Sequence, residues 1–329
     1  MAVGPAGLTA VGYVAIDGEW HALAWTSSDG GTWRLDRVDE GTAAFAVDVA
    51  QATDGRVVAV GRSGSAPAAW VSADGTTWQA ATVARLGASD DRERMTTVMA
   101  GPDGLIAGGS VGPELFERRA RFWRSADGSS WDPVADDDGF ADGEVTAIAR
   151  VPAGYVAIGR LGTGQRSTGS VAWRSADGRR WQRVDDPALA AGLASGLATL
   201  PDATLVAVGS DLDEREAVAW LSADGRAWDR APREASRLYD GGKIRMTDVV
   251  ATPDGLLGVG NFVGVQYGVA SSWSTRDGRA WTQSPMNPAL NQGEMLGVAL
   301  GPAGFVAVGS FGAPDNYIPT IWLSPPPAP

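Results

Sequence analysis

The 329-residue chain has no cysteine, one histidine (His21) and one lysine (Lys243). Without cysteine there are no disulfides, thiolate nucleophiles or cysteine-ligated metals. A single histidine excludes a multi-histidine metal centre. No nucleophile-elbow motif accompanies His21, so a Ser-His-Asp triad is not expected and His21 reads as an exposed loop residue. No apolar run approaches the roughly 18–20 residues of a membrane span. Charged residues are only 20% of the chain and the net charge is -12. That balance repels nucleic acid and anionic membrane surfaces, so neither is expected as a partner. The acidic run Asp136-Asp137-Asp138 lacks the glycine and bidentate glutamate of a calcium loop and reads as solvated. No metal and no cofactor are expected.

Glycine (44), proline (19) and tryptophan (14) are plentiful. Glycine and proline at this density without a collagen period fit many tight turns between short strands, and argue against helices and disorder alike. The tryptophans are ordered. Trp25, Trp70, Trp123, Trp173, Trp220, Trp273 and Trp322 recur every 45, 53, 50, 47, 53 and 49 residues. After each of the first six comes Ser or Thr two residues on, Asp four on, Gly five on and a second Trp eight on, as in Trp25-Thr26-Ser27-Ser28-Asp29-Gly30-Gly31-Thr32-Trp33. Only Trp20 falls outside this pattern. A period near fifty residues marks a repeat architecture.

Each unit reads as four strands. An apolar stretch ends in a turn such as Pro253-Asp254-Gly255; a short run closes on glycine, as in Val57-Val58-Ala59-Val60-Gly61; a third strand ends at the anchor tryptophan; a fourth starts at the second. Four short strands per unit, repeated radially, make a β-propeller blade. The expected fold is an all-β, seven-bladed propeller forming one domain over residues 1–329. Its blades run approximately over 1–38, 43–82, 94–135, 143–185, 192–232, 244–285 and 293–324. Unit seven ends in Pro325-Pro326-Pro327-Ala328-Pro329, without Asp, Gly or a second Trp, and unit one has only Met1 to Val3 for its innermost strand. An incomplete last blade is therefore expected, since proline supplies no ladder donors.

The Ser-x-Asp-Gly-x-x-Trp turn resembles the Asp box of bacterial-neuraminidase-type repeats, found in sialidases, xyloglucanases, sortilin-like receptors and a photosystem-assembly propeller. It is one residue shorter than the common form and usually lacks the second glycine. The resemblance implies a sialidase-like superfamily fold. It also implies that Asp29, Asp74, Asp127, Asp177, Asp224 and Asp277 face away from the ligand surface and serve the scaffold. The sialidase signature of an Arg beside Ile-Pro and two further clamping arginines cannot be traced.

Function is expected on the opposite rim, where the loops differ between units. Arg94, Glu144, Arg245 and Glu294 enter the innermost strands and should approach the channel mouth, with Trp20, His21, Arg237, Tyr239 and Tyr267 around it. Mixed arginine and glutamate suit a ligand bearing hydroxyls and a carboxylate. The reading is a binding propeller for a carbohydrate, small molecule or protein, acting as a monomer. The alternative is a glycoside hydrolase, a lyase or a biosynthetic enzyme using Arg, Glu and Tyr at the mouth. The compartment is extracytoplasmic if a leader precedes the chain and cytoplasmic otherwise.

Overall fold

A computed structural model describes residues 1–329 apart from 5–6, 42, 87–91, 113–117, 136–137, 164–165, 233–241, 264–267, 286, 313–316 and 325–329. It is an all-β ring of seven antiparallel sheets in chain order, a seven-bladed propeller. The innermost strands are Ala2–Gly4, Ala44–Gln51, Glu93–Gly101, Gly143–Val151, Gly192–Thr199, Lys243–Thr252 and Gly293–Gly301. Blades 1 to 6 continue outward through three further strands. Blade 7 has three strands among the described residues, ending with Ile318–Ser324. In blade 3 a fifth strand joins the edge. Thr82–Val83, from the connection after blade 2, runs parallel to Ser130–Trp131.

The six repeated turns close in one way. The Ser or Thr hydroxyl accepts the N–H of the glycine, at 2.8 Å in the five serine turns and 3.0 Å for Thr275. The aspartate accepts N–H groups further on, as Asp74 does from Thr76 and Thr77 at 2.8 and 2.9 Å. The glycines sit at φ between 71° and 83°, where a side chain is disfavoured. In five of the turns the second tryptophan then donates its indole N–H to the glycine carbonyl, as Trp131 does to Gly128 at 2.9 Å, whereas the buried indole N–H of Trp228 has no hydrogen-bond partner among the described residues.

These tryptophans glue the ring. Trp131 lies in an apolar cluster shared by blades 2 and 3, Trp228 in one shared by blades 4 and 5, and Trp281 in one shared by blades 5 and 6. Trp181 of blade 4 stacks on Phe122 of blade 3, with centroids 4.1 Å apart and planes 8° from parallel. Burying one such ring contributes roughly 4–6 kcal/mol of transfer free energy before ordering entropy is subtracted. Three of the anchor tryptophans fasten connections between blades. Trp70 donates to Asp39, Trp173 to the carbonyl of Gly139 and Trp220 to that of Ala188.

The composition argued against helices, yet among the described residues one α-helical turn, Pro187–Ala190, lies between blades 4 and 5, and two 3-10 turns, Asp138–Phe140 and Pro288–Leu290, lie in other connections. Local chemistry explains the α-helical turn: Asp186 caps it by accepting from Ala188 and Leu189, and Pro187 at the start has the right φ and no N–H to lose.

The turn carboxylates make the fold acid-sensitive. Asp29, Asp74, Asp177 and Asp277 lie below the usual carboxylate range, chiefly because backbone N–H groups bond the ionised form, and Asp127 because Ser129 does. A depressed folded pKa gives stability that is present above the unfolded value of about 3.9 and is lost as pH falls through the folded value. Replacing Asp177 by Ala should cost about 1 kcal/mol at pH 7, a modest figure because the turn faces water. Its melting temperature should fall less steeply than that of the wild type between pH 5 and pH 2, read by thermal denaturation.

Candidate functional site

The innermost strands of blades 2 to 7 each carry a bulge two or three residues from their start, as between Met95 and Thr97, Val145 and Ala147, or Met246 and Asp248. The extra residue re-aims the backbone toward the channel and its neighbour. Thr96 brings its hydroxyl within reach of the carbonyls of Gly108 and of Val145 in the next blade, and Thr247 those of Val259 and Met295. The residue just before the bulged pair lies at the rim, opposite the residue that follows the repeated glycine of the second strand. In blades 2 to 7 these pairs are Phe45 with Arg62, Arg94 with Ser110, Glu144 with Arg160, Leu193 with Ser210, Arg245 with Asn261, and Glu294 with Ser310. Strand starts and second-to-third loops share this rim, and the Asp-Gly turns occupy the other.

The structure brings Arg94 to Glu144 and Arg245 to Glu294, each pair bridging adjacent blades. Arg94 grips Glu144 with two bonds of 2.8 and 2.9 Å, and Arg118 donates to the same carboxylate. Arg245 donates to Glu294 at 2.6 Å and to Asn261 at 3.2 Å. Asn261 is buried and the charged residues are half-buried. Between these clusters stands Arg160, which reaches over the blade 5 bulge to the Ala194 carbonyl at 3.4 Å and to the Ser195 hydroxyl. Among the described residues no carboxylate pairs with it directly. Burial lowers its pKa, the charge of Arg245 adds to that effect, and Glu144 and Glu214 oppose it. Deeper in the channel, Asp248 accepts the N–H groups of Val249 and of Val298 in blade 7, and burial pushes its carboxyl up. Asp48 does the same for Val49 and Val98.

The mouth is aromatic on its other side. Blade 1 pairs its short inner strand only as far as Thr9, and among the described residues no strand pairs with Tyr13 on that side. Tyr13, Trp20 and Phe45 form a cluster with centroids 5.0 to 5.6 Å apart, and the Arg62 guanidinium sits 3.7 Å from the centre of Phe45. Tyr13 and Trp20 stay more than 40% exposed. Their exposure leaves ring faces available to a ligand.

His21 corrects the sequence reading. It is buried within the strand Glu19–Ser27, not exposed on a loop, and its Nδ1 has no hydrogen-bond partner among the described residues. Successive residues of a strand face opposite sides, so Trp20 points to the mouth cluster and its neighbour His21 points away from it. Arg237, Tyr239 and Tyr267 lie outside the described residues. The sequence reading passed over Tyr13, Phe45 and Arg62 because it sought irregular loops. The residue after the repeated glycine was the available signal: it is Tyr13, Arg62, Ser110, Arg160, Ser210, Asn261 and Ser310 in successive blades.

The fold recurs in solved structures at low identity. A Lactobacillus plantarum protein superposes with a TM-score of 0.59 at 10% identity, over 97% of this chain and 96% of that one. The Trypanosoma rangeli sialidase in complex with sialic acid gives 0.52 at 14% identity, over 97% of this chain and 59% of the sialidase. The chain thus matches little more than half the length of that enzyme. No family model matches the chain, and no curated protein matches it in sequence. The likeness extends to the fold.

Glu144 balances two arginines in half-buried surroundings. Glu144→Gln keeps its volume and removes its charge, and should lower stability by about 1–2 kcal/mol at low salt. Denaturant titration in 1 M salt should show a smaller loss, because the screening length there is about 3 Å.

Proposed function

We propose that this is a binding propeller whose mouth takes an anionic carbohydrate. The carrying observation is Arg160: a half-buried cation beside Arg245, without a direct carboxylate partner among the described residues, on a chain of net charge -12. A ligand carboxylate would supply what Arg160 lacks, in the bidentate geometry a guanidinium favours. Glu294, half-buried and bonded to Arg245 through one oxygen, has a second carboxylate oxygen that can accept from a hydroxyl. Trp20 and Tyr13 offer ring faces to the apolar side of a sugar. In this reading the repeated turn is an Asp box, and its aspartates hold the scaffold.

The alternative is a glycoside hydrolase or lyase at the same mouth. It needs a carboxyl free to move a proton. Glu144 already accepts from Arg94 and Arg118, and Glu294 from Arg245, which favours binding over turnover.

Sialic acid, which the sialidase of the same fold binds, is the first probe, with glucuronate oligosaccharides beside it. Calorimetry should show saturable binding that weakens with salt and drops about tenfold or more in Arg160→Gln. Trp20→Ala should weaken it several-fold. The methyl ester of the same sugar should bind poorly, and equal binding of acid and ester would overturn the proposal. Release of reducing sugar that disappears in Glu144→Gln or Glu294→Gln would replace binding with catalysis.

A further inference from the structure

Arg160 shares its side of the mouth with a carboxylate that does not bind it. The blade 5 loop between the strands Leu205–Asp211 and Ala217–Ser222 carries Glu214, whose charge opposes the lowering of the Arg160 pKa. No hydrogen bond joins the two: Arg160 donates to Ala194 and Ser195, and Glu214 accepts from Lys243. A carboxylate this close is the built-in competitor of an anionic ligand, since it offers the same two oxygens to the same guanidinium fork. Where Glu214 is held therefore decides how much of Arg160 is left for a ligand.

The backbone of Glu214 is held firmly. Its φ is 56°, in the left-handed region that a non-glycine residue seldom adopts. Its N–H donates to the Asp211 carbonyl at 3.1 Å, and its own carbonyl accepts the N–H of Ile244 in blade 6 at 2.7 Å. The Asp211 carboxylate closes the same loop by accepting from the N–H groups of Arg215 and Glu216 at 2.6 and 3.0 Å. Only the side chain of Glu214 is left to turn, and Lys243 takes it, donating to Oε1 at 3.3 Å. Lys243 is the only lysine of the chain and immediately precedes Ile244, so one strand end grips both the backbone and the carboxylate of Glu214. A rare backbone conformation fixed from several directions beside a binding group motivates a functional role.

We propose that Lys243 is a positioning residue that holds the Glu214 carboxylate off Arg160 and so keeps the guanidinium open to an anion. The anion half of this statement rests on the binding reading of the mouth. The tether itself is weak, because the Lys243 side chain is 61% exposed and that of Glu214 26%, and water screens the pair. Its effect on affinity is accordingly several-fold.

Two measurements on the whole chain test the tether with and without a ligand. In ligand-free protein, side-chain nitrogen NMR of Arg160, assigned by the loss of its signal in Arg160→Gln, should show the Nε–H resonance displaced and its exchange with water slowed in Lys243→Met. Lys243→Arg should restore the wild-type signal, and the Lys243→Met, Glu214→Gln double variant should match Glu214→Gln alone. With sialic acid, calorimetry should show about threefold weaker binding in Lys243→Met, tighter binding in Glu214→Gln, and no further change when Lys243→Met is added to Glu214→Gln. An Arg160 resonance that stays in place in Lys243→Met would overturn the proposal. So would an equal loss of affinity from Lys243→Met in both backgrounds, since the lysine would then act on the ligand through its own charge. If neither sialic acid nor glucuronate binds the wild type while the resonance moves as expected, the tether stands and the ligand reading alone falls.

Discussion

The channel mouth depends on a contact between each inner-strand bulge and a glycine of the second strand. A Cβ on Gly61, Gly109, Gly159, Gly209, Gly260 or Gly309 would fall 1.8 to 2.2 Å from the carbonyl oxygen of Phe45, Arg94, Glu144, Leu193, Arg245 or Glu294. None of these six glycines has a positive φ, so close approach and not backbone conformation demands the residue. The bulge presses the rim carbonyl into the second strand and turns the next residues toward the neighbouring blade. From that contact follow the Thr96 and Thr247 bridges and the cross-blade pairing of Arg94 with Glu144 and Arg245 with Glu294.

The two rims divide the work of the molecule. On one, hydroxyl, carboxylate and glycine repeat with nearly fixed geometry, and five of the six turns are sealed by their own tryptophan. On the other, the same backbone frame presents different side chains in each blade. Blades 3, 4, 6 and 7 carry arginine and glutamate, while blades 1 and 2 carry Tyr13, Trp20 and Phe45. Among the described residues named at this opening, Arg62, Arg94, Arg118, Arg160 and Arg245 outnumber Glu144, Glu214 and Glu294, although the chain as a whole is acidic.

The seven blades were legible because the tryptophans are both abundant and periodic: an interblade ring of that size has no other place in so short a strand. Counting along the repeat also located Arg94, Glu144, Arg245 and Glu294 at strand starts. Their pairing was not legible, since which side chains meet across blades depends on the bulge, and a bulge leaves only a glycine on another strand as its trace. Tyr13 and Arg62 sit directly after that glycine and look like strand residues, so a search among loops passed them by. His21 was misread for a related reason. Its loop-like neighbourhood of Asp17, Gly18 and Glu19 hid the start of a strand, whose alternation buries one of Trp20 and His21 when it exposes the other. The helical turn at Pro187–Ala190 was legible only in the pair Asp186-Pro187, a cap followed by a helix-starting proline.

The bulge contact is tested most directly by the crystal structure of Gly159→Ala. The added Cβ would lie 2.2 Å from the Glu144 carbonyl oxygen and 2.7 Å from the Trp173 ring. The account predicts that the inner strand of blade 4 shifts by about 1 Å or more to restore ordinary contact distances, and that Glu144 leaves its two-bond pairing with Arg94. An unchanged bulge between Val145 and Ala147, with Arg94 still 2.8 and 2.9 Å from Glu144, would contradict it.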